Sequence, residues 1–352
     1  MYVEELRDEK EWQDFVKAMP TATFYHTLEW KRVIQGTFGF VPAYLTVRDQ
    51  RRIVGVCPGF ITAVGRFRIY ASLPNSDYGG PIFNNDYLIE GIRSLRDFLI
   101  GYCLDNEISY VKICFQGSVP GPFLGMPSTF VDRSKGIAET DLKATPPEFV
   151  WQEMKGWVRQ KIRRFEKDGF KVEEISSSSG LKEFYSLYCD NMKHVRAPAY
   201  PYQFFQNMRS MIPSDEFRVW LVQGKSVLGG TASFFFGKTV YLVYIGIDRE
   251  LSLARHPVMP YLCWNIIRWA EEHGFRYVSM GSTPSDPTHF YYSQKSHFGA
   301  QFLCQETASV PLTRDARALM LMRGKAVSAW RIVRGFLPTN VKTSLERRLS
   351  LL

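Results

Sequence analysis

One order of elements occurs twice in this 352-residue chain, and it narrows the possible folds more than any motif does. From residue 43 the sequence reads strand AYLTVR (43–48), a turn at Asp49-Gln50-Arg51, strand RIVGVCPGF (52–60) and strand RFRIYASL (66–73). The loop PNSDYGGP (74–81), a helix over 86–104 and strand YVKICF (110–115) complete that copy. From residue 217 it reads strand FRVWLV (217–222), a turn at Gln223-Gly224-Lys225, strand SVLGGTASFFFG (226–237) and strand TVYLVYIGID (239–248). The loop RELSLARHP, a helix over 258–273 and strand YVSM follow. The strands are short β-branched and aromatic runs bounded by Gly, Pro and Asp. The helices place Leu88, Ile92, Leu95 and Leu99, or Leu262, Ile266 and Trp269, at helical spacing. The repeat lies in element order and not in letters, so the expected architecture is two packed copies of one α+β module. A groove between the copies is then the expected place for a substrate.

Around these copies the local signals are plain. Residues 4–18 read as an amphipathic helix with Asp8 available as its N-cap, and Thr27 caps LEWKRVIQGTFG. Residues 116–150 carry Pro120, Pro122, Pro127, Pro146 and Pro147 with little periodicity, and read as a connection. A helix over 148–168 ends at Gly169, in the C′ position. Arg159, Lys161, Arg163, Arg164 and Lys167 crowd its last turns, which suits the helix dipole but is not explained by packing. Helices over 180–195 and 202–211 lead into the second copy. The expected division is 1–145, 146–310 and a C-terminal basic helical tail, 311–352.

Hydrophobic residues at 45% and aromatics at 15% supply packed cores and exclude a disordered chain. The N-terminus is charged from its first residues, and no run of eighteen apolar residues occurs. Neither a signal peptide nor a spanning helix is expected, and the expected location is cytoplasmic. Six scattered cysteines without a CxxC pair read as reduced, buried thiols, and six histidines without HxxxH or HExxH give no sign of a metal. The net charge of +9 is concentrated: residues 313–352 hold nine Lys/Arg against Asp315 and Glu346, which is +7 and leaves +2 elsewhere. Such a tail is a cue for RNA, anionic lipid or a phosphorylated carrier, or simply a solvated helix face. Leu319, Met320, Met322, Ala326, Trp330 and Val333 form a stripe, suited to packing on the first domain or to lying at the inner membrane face.

The stretch YVSMGSTPSDPTHFYYSQKSHFG (277–299) carries the chemistry. Gly281 is expected to stop a strand, and residues 282–288 form a turn-rich loop. His289, Phe290, Tyr291, Tyr292 and Phe298 then surround Lys295. A lysine among rings just past a strand end can meet a developing negative charge in a partly dry site. The alternative is a surface lysine on an amphipathic segment.

Several stretches resemble FemAB-type acyltransferases of the GNAT superfamily, in the branch associated with exopolysaccharide and cell-envelope clusters. They are FYHTLEW (24–30), SLPNSDYGGPIF (72–83), WVRQKIRRFEKDGFKVE (157–173), YSLYCDNMKHVRAPAYPYQFF (185–205), AEEHGFRYVSMGS (270–282) and YYSQKSHFG (291–299). The resemblance covers about residues 22–305 and implies two tandem GNAT-like domains. It also implies transfer of an aminoacyl or acyl group to an amine of a peptidoglycan or other envelope precursor. The family's closing Phe-Lys-x-x-Trp-Gly corresponds to Gln294, Lys295, Phe298 and Gly299, so Lys295 inherits the role of stabilising the tetrahedral oxyanion. The chain departs from the branch where Phe-Asp-Phe-Gly-Arg-Ser becomes Val278-Ser279-Met280-Gly281-Ser282-Thr283. It departs again at Lys193 and Arg196, where an arginine and a glycine are usual.

Acyl transfer to an amine needs a proton acceptor as well as an oxyanion partner. Asp77 or His194 is the candidate acceptor, although Asn-Ser-Asp before Tyr-Gly-Gly is also good turn chemistry. Lys193 and Arg196, beside Tyr200 and Tyr202, form a candidate set for a phosphate or carboxylate of the acceptor, with Tyr78, Ser282, Tyr291 and Tyr292. Arg159, Arg163 and Arg164 are the candidate donor contacts. The loop at 248–260 holds no glycine to cradle a pyrophosphate, so aminoacyl-tRNA is favoured over acyl-CoA or acyl-carrier protein as the co-substrate. No bound cofactor is expected. The acceptor is expected to be a small-molecule or lipid-linked precursor. A non-catalytic protein docking RNA or membrane is the competing reading.

Overall fold

A computed structural model describes residues 1–77, 79–126, 128–249 and 258–322. In chain order the elements are β1 (Tyr2–Glu5), α1 (Glu9–Ala18), α2 (Leu28–Phe38), β2 (Val41–Pro42), β3 (Leu45–Asp49), β4 (Arg52–Cys57), β5 (Phe60–Val64) and β6 (Phe67–Ala71). Next come β7 (Ile82–Phe83), α3 (Leu88–Asp105), β8 (Tyr110–Gln116), an irregular turn α4 (Gly121–Gly125), β9 (Phe130–Asp132) and β10 (Lys135–Asp141). Then follow α5 (Pro147–Glu153), α6 (Gly156–Lys167), β11 (Lys171–Ile175), α7 (Ser178–His194), α8 (Tyr202–Met211), β12 (Phe217–Gln223) and β13 (Val227–Phe236). The last are β14 (Thr239–Ile247), α9 (Val258–Glu272), β15 (Tyr277–Pro284), α10 (Phe290–Ser296) and β16 (Gln301–Pro311).

These elements fall into two units made of interleaved segments. The first holds Met1–Ala22, Phe40–Asp132 and the chain from Glu306; the second holds Thr23–Gly39 and Arg133–Gln305. The sequential boundaries at 145/146 and 310/311 therefore do not coincide with the compact units. Residues 23–39 join the second unit through their rings: Phe24 stacks on Phe234 at 4.2 Å, and Trp30 meets Phe234 and Phe204 edge-on at 5.4 and 5.8 Å. Aromatic burial of this kind outweighs chain proximity in deciding where a short helix docks.

In the first unit β1, β3, β4 and β7 form one sheet, while β2, β5, β6 and β8 lie in another. The single strand expected over 52–60 is two strands in different sheets, because Pro58-Gly59 breaks it. Proline removes a ladder donor. At Gly59 any Cβ would stand 2.3 Å from the Tyr70 hydroxyl. Leu45, Val47, Val54, Leu95, Leu99, Val111 and Ile113 form the core under α3. The parallel pair β6–β8 runs over Ile69–Tyr110, Tyr70–Val111 and Ala71–Lys112.

In the second unit the order is β11-β12-β13-β14-β15-β10, followed by the first half of β16. Only β14–β15 is parallel in this run, over Thr239–Tyr277, Val240–Val278 and Tyr241–Ser279. Val158, Ile162, Phe165, Val240, Leu242, Ile267 and Val278 pack together under α6 and α9. Rings from α2, α7 and α8 meet Phe234 and Tyr244.

Four further expectations are corrected. The opening helix begins only at Glu9, where the Asp8 carboxylate accepts from the Lys10 and Glu11 amides at 2.8 and 3.0 Å, and Tyr2–Glu5 is a strand. The connection at 116–150 contains β10, an interior strand between β15 and β16. The helix over 148–168 is two helices, parted where Met154 turns to extended backbone. Finally, β15 does not stop at Gly281 but continues to Pro284.

Of the tail, residues 314–322 are helical, and Ala316 and Met320 pack on Ile69, Ala71 and Tyr110 of the first unit. Arg66 pairs with Asp315 at 2.6 Å. Ala326, Trp330 and Val333 lie outside the described residues. Among the described residues no helix is long and apolar enough to cross a membrane.

Candidate active site

Strand β15 reaches Pro284 by means of a bulge. Ile137 pairs with Ser282 and Glu139 with Ser279, so Met280 and Gly281 together oppose Ala138. Gly281 takes φ +70°, a left-handed conformation that glycine adopts without strain. The carbonyls of Gly281 and Ser282 accept from Lys295 Nζ at 3.2 and 2.7 Å. A half-buried ammonium is thus aimed by the strand whose end it follows.

The helix that carries it is fixed at both ends. His289 Nδ1 accepts from the Tyr291 amide at 3.3 Å. Beyond its last turn, Phe298 is 5% exposed within the core, and its carbonyl accepts from the buried Thr140 hydroxyl at 2.9 Å. Lys295 lies close to Cys263 of α9: burial pushes that thiol up to about 12, and the Lys295 charge pulls the other way. A cation held by carbonyl dipoles beside an apolar helix face is suited to meeting a developing oxyanion.

A second polar cluster lies where β14 leaves the sheet. Asn191 of α7, 5% exposed, donates from Nδ2 to the Ile245 carbonyl at 2.9 Å. Its Oδ1 accepts from Arg249 Nε and Nη2 at 3.0 and 2.6 Å. Neither residue was singled out from the sequence, although a signal existed. Leu181, Phe184, Tyr188 and Asn191 form the buried stripe of α7, so a polar residue occupies an apolar position.

The remaining candidates are dispersed. Tyr291 is exposed on α10, Tyr292 packs on Phe302 at 5.9 Å, and Ser282 is half-buried on β15, all near Lys295 in sequence or by contact. His194 and Lys193 are exposed at the end of α7, where Lys193 pairs with Asp190 at 3.0 Å. Arg196 sits at φ +56° just beyond that helix, with the Ala197 amide donating to the Met192 carbonyl at 3.0 Å. This left-handed helix terminus accounts for the glycine usual at this place in the family pattern. The Tyr200 carbonyl accepts from the Tyr185 hydroxyl at 3.2 Å, and Tyr202 lies 5.0 Å from the Tyr185 ring, so both belong to an aromatic packing group.

On α6, Arg159 donates to the Trp151 and Gln152 carbonyls at 2.9 and 2.6 Å, satisfying the end of α5. Arg163 lies over the Trp151 ring at 5.4 Å, and Arg164 stands 3.7 Å from Asp168. Asp77 is half-buried in the loop after β6 of the first unit; Tyr78 lies outside the described residues. Among the described residues no three His, Cys, Asp or Glu side chains gather to hold a metal ion.

Residues 152–290 match the acetyltransferase (GNAT) domain family. No curated protein is similar to the chain in sequence. Among solved structures, FemX is similar with TM-score 0.68 at 16% identity, over 88% of this chain and 97% of that one. The tandem GNAT protein of the clavulanic acid biosynthesis pathway is similar with TM-score 0.58 at 11% identity, over 88% and 98%. L-PGS from Bacillus licheniformis is similar with TM-score 0.52 at 12% identity, over 84% and 86%. At these identities the likeness is one of fold. Residues 152–290 thus match an acetyltransferase (GNAT) domain, within a tandem α+β fold similar to that of FemX.

Proposed function

We propose that the protein is a FemAB-type N-acyltransferase that moves an aminoacyl group to an amine on a cell-envelope precursor, of peptidoglycan or exopolysaccharide. The observation that carries the proposal is the placement of Lys295, held by the Gly281 and Ser282 carbonyls at the bulge of β15. In the reaction the acceptor amine attacks the ester carbonyl of the donor, and charge builds on the carbonyl oxygen. The Lys295 ammonium meets that charge. The C–O bond then breaks, and the departing hydroxyl takes up a proton as the amine gives one up. Asp77 and His194 are the proposed acceptors of the amine proton.

Aminoacyl-tRNA is the proposed donor, and acyl-CoA or acyl-carrier protein is the alternative. The absence of glycine from residues 248–260 supports this order, because a pyrophosphate cradle needs close approach of backbone amides. The exposed Lys161, Arg164 and Lys167 of α6 supply charge for an RNA backbone. Of the three arginines proposed as donor contacts, Arg159 and Arg163 are already engaged by α5 and Trp151.

The test is a side-by-side assay of the purified protein with labelled aminoacyl-tRNA, acyl-CoA and acyl-carrier protein against an envelope-precursor amine. Transfer from aminoacyl-tRNA that weakens steeply with salt is expected. Transfer from acyl-CoA alone would favour the alternative donor. Binding of tRNA without turnover from any donor would overturn the enzymatic reading.

A further inference from the structure

The Asn191–Arg249 pair places a cation where the transfer chemistry above uses none. Arg249 follows β14 directly and is half-buried. Its hydrogen bonds among the described residues go to a neutral amide oxygen, Asn191 Oδ1. That amide cannot be turned over: its Nδ2 is committed to the Ile245 carbonyl, and reversal would aim it at two guanidinium donors. An aspartate at 191 would have neutralised the arginine; asparagine orients it and leaves its charge intact. Burial holds the Arg249 pKa below the usual arginine value, and the neighbouring Tyr291 opposes that shift.

A half-buried cation matched, among the described residues, only to a dipole is unfavourable for the folded chain, and an anionic ligand relieves it. Nε and one Nη2 hydrogen face Asn191. The Nη1–Nη2 edge remains as a planar fork that fits two oxygens of one carboxylate or phosphate. Tyr291 and Lys295 are four residues apart on α10, so they share a helix face.

We propose that Arg249, oriented by Asn191, binds an oxyanion of the substrate, a carboxylate or a phosphate. This rests on the transferase reading only for the identity of the ligand as a substrate. The planar fork selects the oxyanion.

The experiment is thermal unfolding of the full chain in inorganic phosphate, acetate and chloride at equal ionic strength. Phosphate or acetate is expected to raise Tm above chloride, and whichever does so identifies the chemistry. Arg249→Gln should abolish the difference. Arg249→Lys should keep part of it, because an ammonium supplies charge without the fork. Asn191→Asp should also abolish it, because the new carboxylate cancels the guanidinium charge that draws the anion. If Arg249→Gln does not fold, the lysine and aspartate variants carry the comparison. In transfer assays, Arg249→Lys should raise KM for the substrate bearing the oxyanion by roughly ten- to a hundredfold with kcat near wild type. A KM rise for the donor or for the acceptor shows which one carries the group. Equal Tm in all three salts for the wild type, or a difference that survives Arg249→Gln, would overturn the proposal. Neither result depends on turnover, so loss of the transferase reading would leave this test standing.

Discussion

In the first unit β6 and β8 pair at three places and then part, and in the second β14 and β15 do the same. Past that point the two regions diverge. In the first, the chain's own loop closes onto β8: the Ser72 amide donates to the Lys112 carbonyl at 2.9 Å, and the Ser72 hydroxyl accepts from the Cys114 amide at 2.9 Å. Gly80 then lies so close that a Cβ there would stand 1.6 Å from the Cys114 oxygen. In the second, β14 bulges at Val243 and runs on to Ile247, while side chains from α7 and α10 take the backbone groups. Asn191 reaches the Ile245 carbonyl, and Lys295 reaches those of Gly281 and Ser282. Parting strands leave polar backbone that must be satisfied. One unit answers with its own loop, and the other answers with the side chains of Asn191 and Lys295.

The largest expected effect tests the closed side. Gly80→Ala would place a methyl on the Cys114 carbonyl at φ +103°, and should destabilise the protein by more than about 4 kcal/mol. Thermal unfolding checks this, and a wild-type Tm would break the contrast between the units. Next comes the open side: Lys295→Met should reduce transfer roughly 100- to 1,000-fold while circular dichroism stays unchanged. Undiminished transfer would reduce Lys295 to a structural tie. A smaller effect is expected at the anchor of α10. Thr140→Val leaves the buried Phe298 carbonyl without its donor and should cost about 1–3 kcal/mol in chemical denaturation. An unchanged midpoint would show that α10 is held by something else.

The smallest effect is a pH dependence weighted toward the first unit. Burial raises the thiols of Cys57 and Cys103 there, and of Cys263 in the second unit, from 9.0 to about 12. Such thiols stay protonated in the fold and ionise earlier in the unfolded chain. Their contribution is therefore complete below pH 9 and is lost as pH rises toward about 12. Denaturation midpoints should fall over that window, and a disulfide reagent at neutral pH should modify the exposed Cys304 well before the three buried thiols. Rapid reaction of Cys57 or Cys103 would contradict the packing of the first unit.

What the sequence made legible was local chemistry and periodicity. The caps at Asp8 and Thr27 needed only the residues around them, β13 and β14 announce themselves as β-branched and aromatic runs, and α9 by its helical period. β10 was missed because KGIAETD has little apolar pattern; its burial is supplied by β15 and β16, which are distant in sequence. The break between α5 and α6 falls at Met154-Lys155, and its one mark in the sequence is Gly156, a residue that is also tolerated inside a helix. Lys295 was legible because rings crowd it in sequence, whereas Arg249 gains its meaning only from Asn191, fifty-eight positions away. Site residues brought together by tertiary contact leave little trace in a linear reading.

The central claim is that the acyl group is handled in the second unit, at Lys295. A crystal structure of the protein with a stable aminoacyl-RNA analogue measures this directly. The account predicts the acyl carbonyl oxygen within hydrogen-bonding distance of Lys295 Nζ, with the Gly80 loop still lying on Cys114. An acyl group seated between β6 and β8, with that loop displaced, would contradict it.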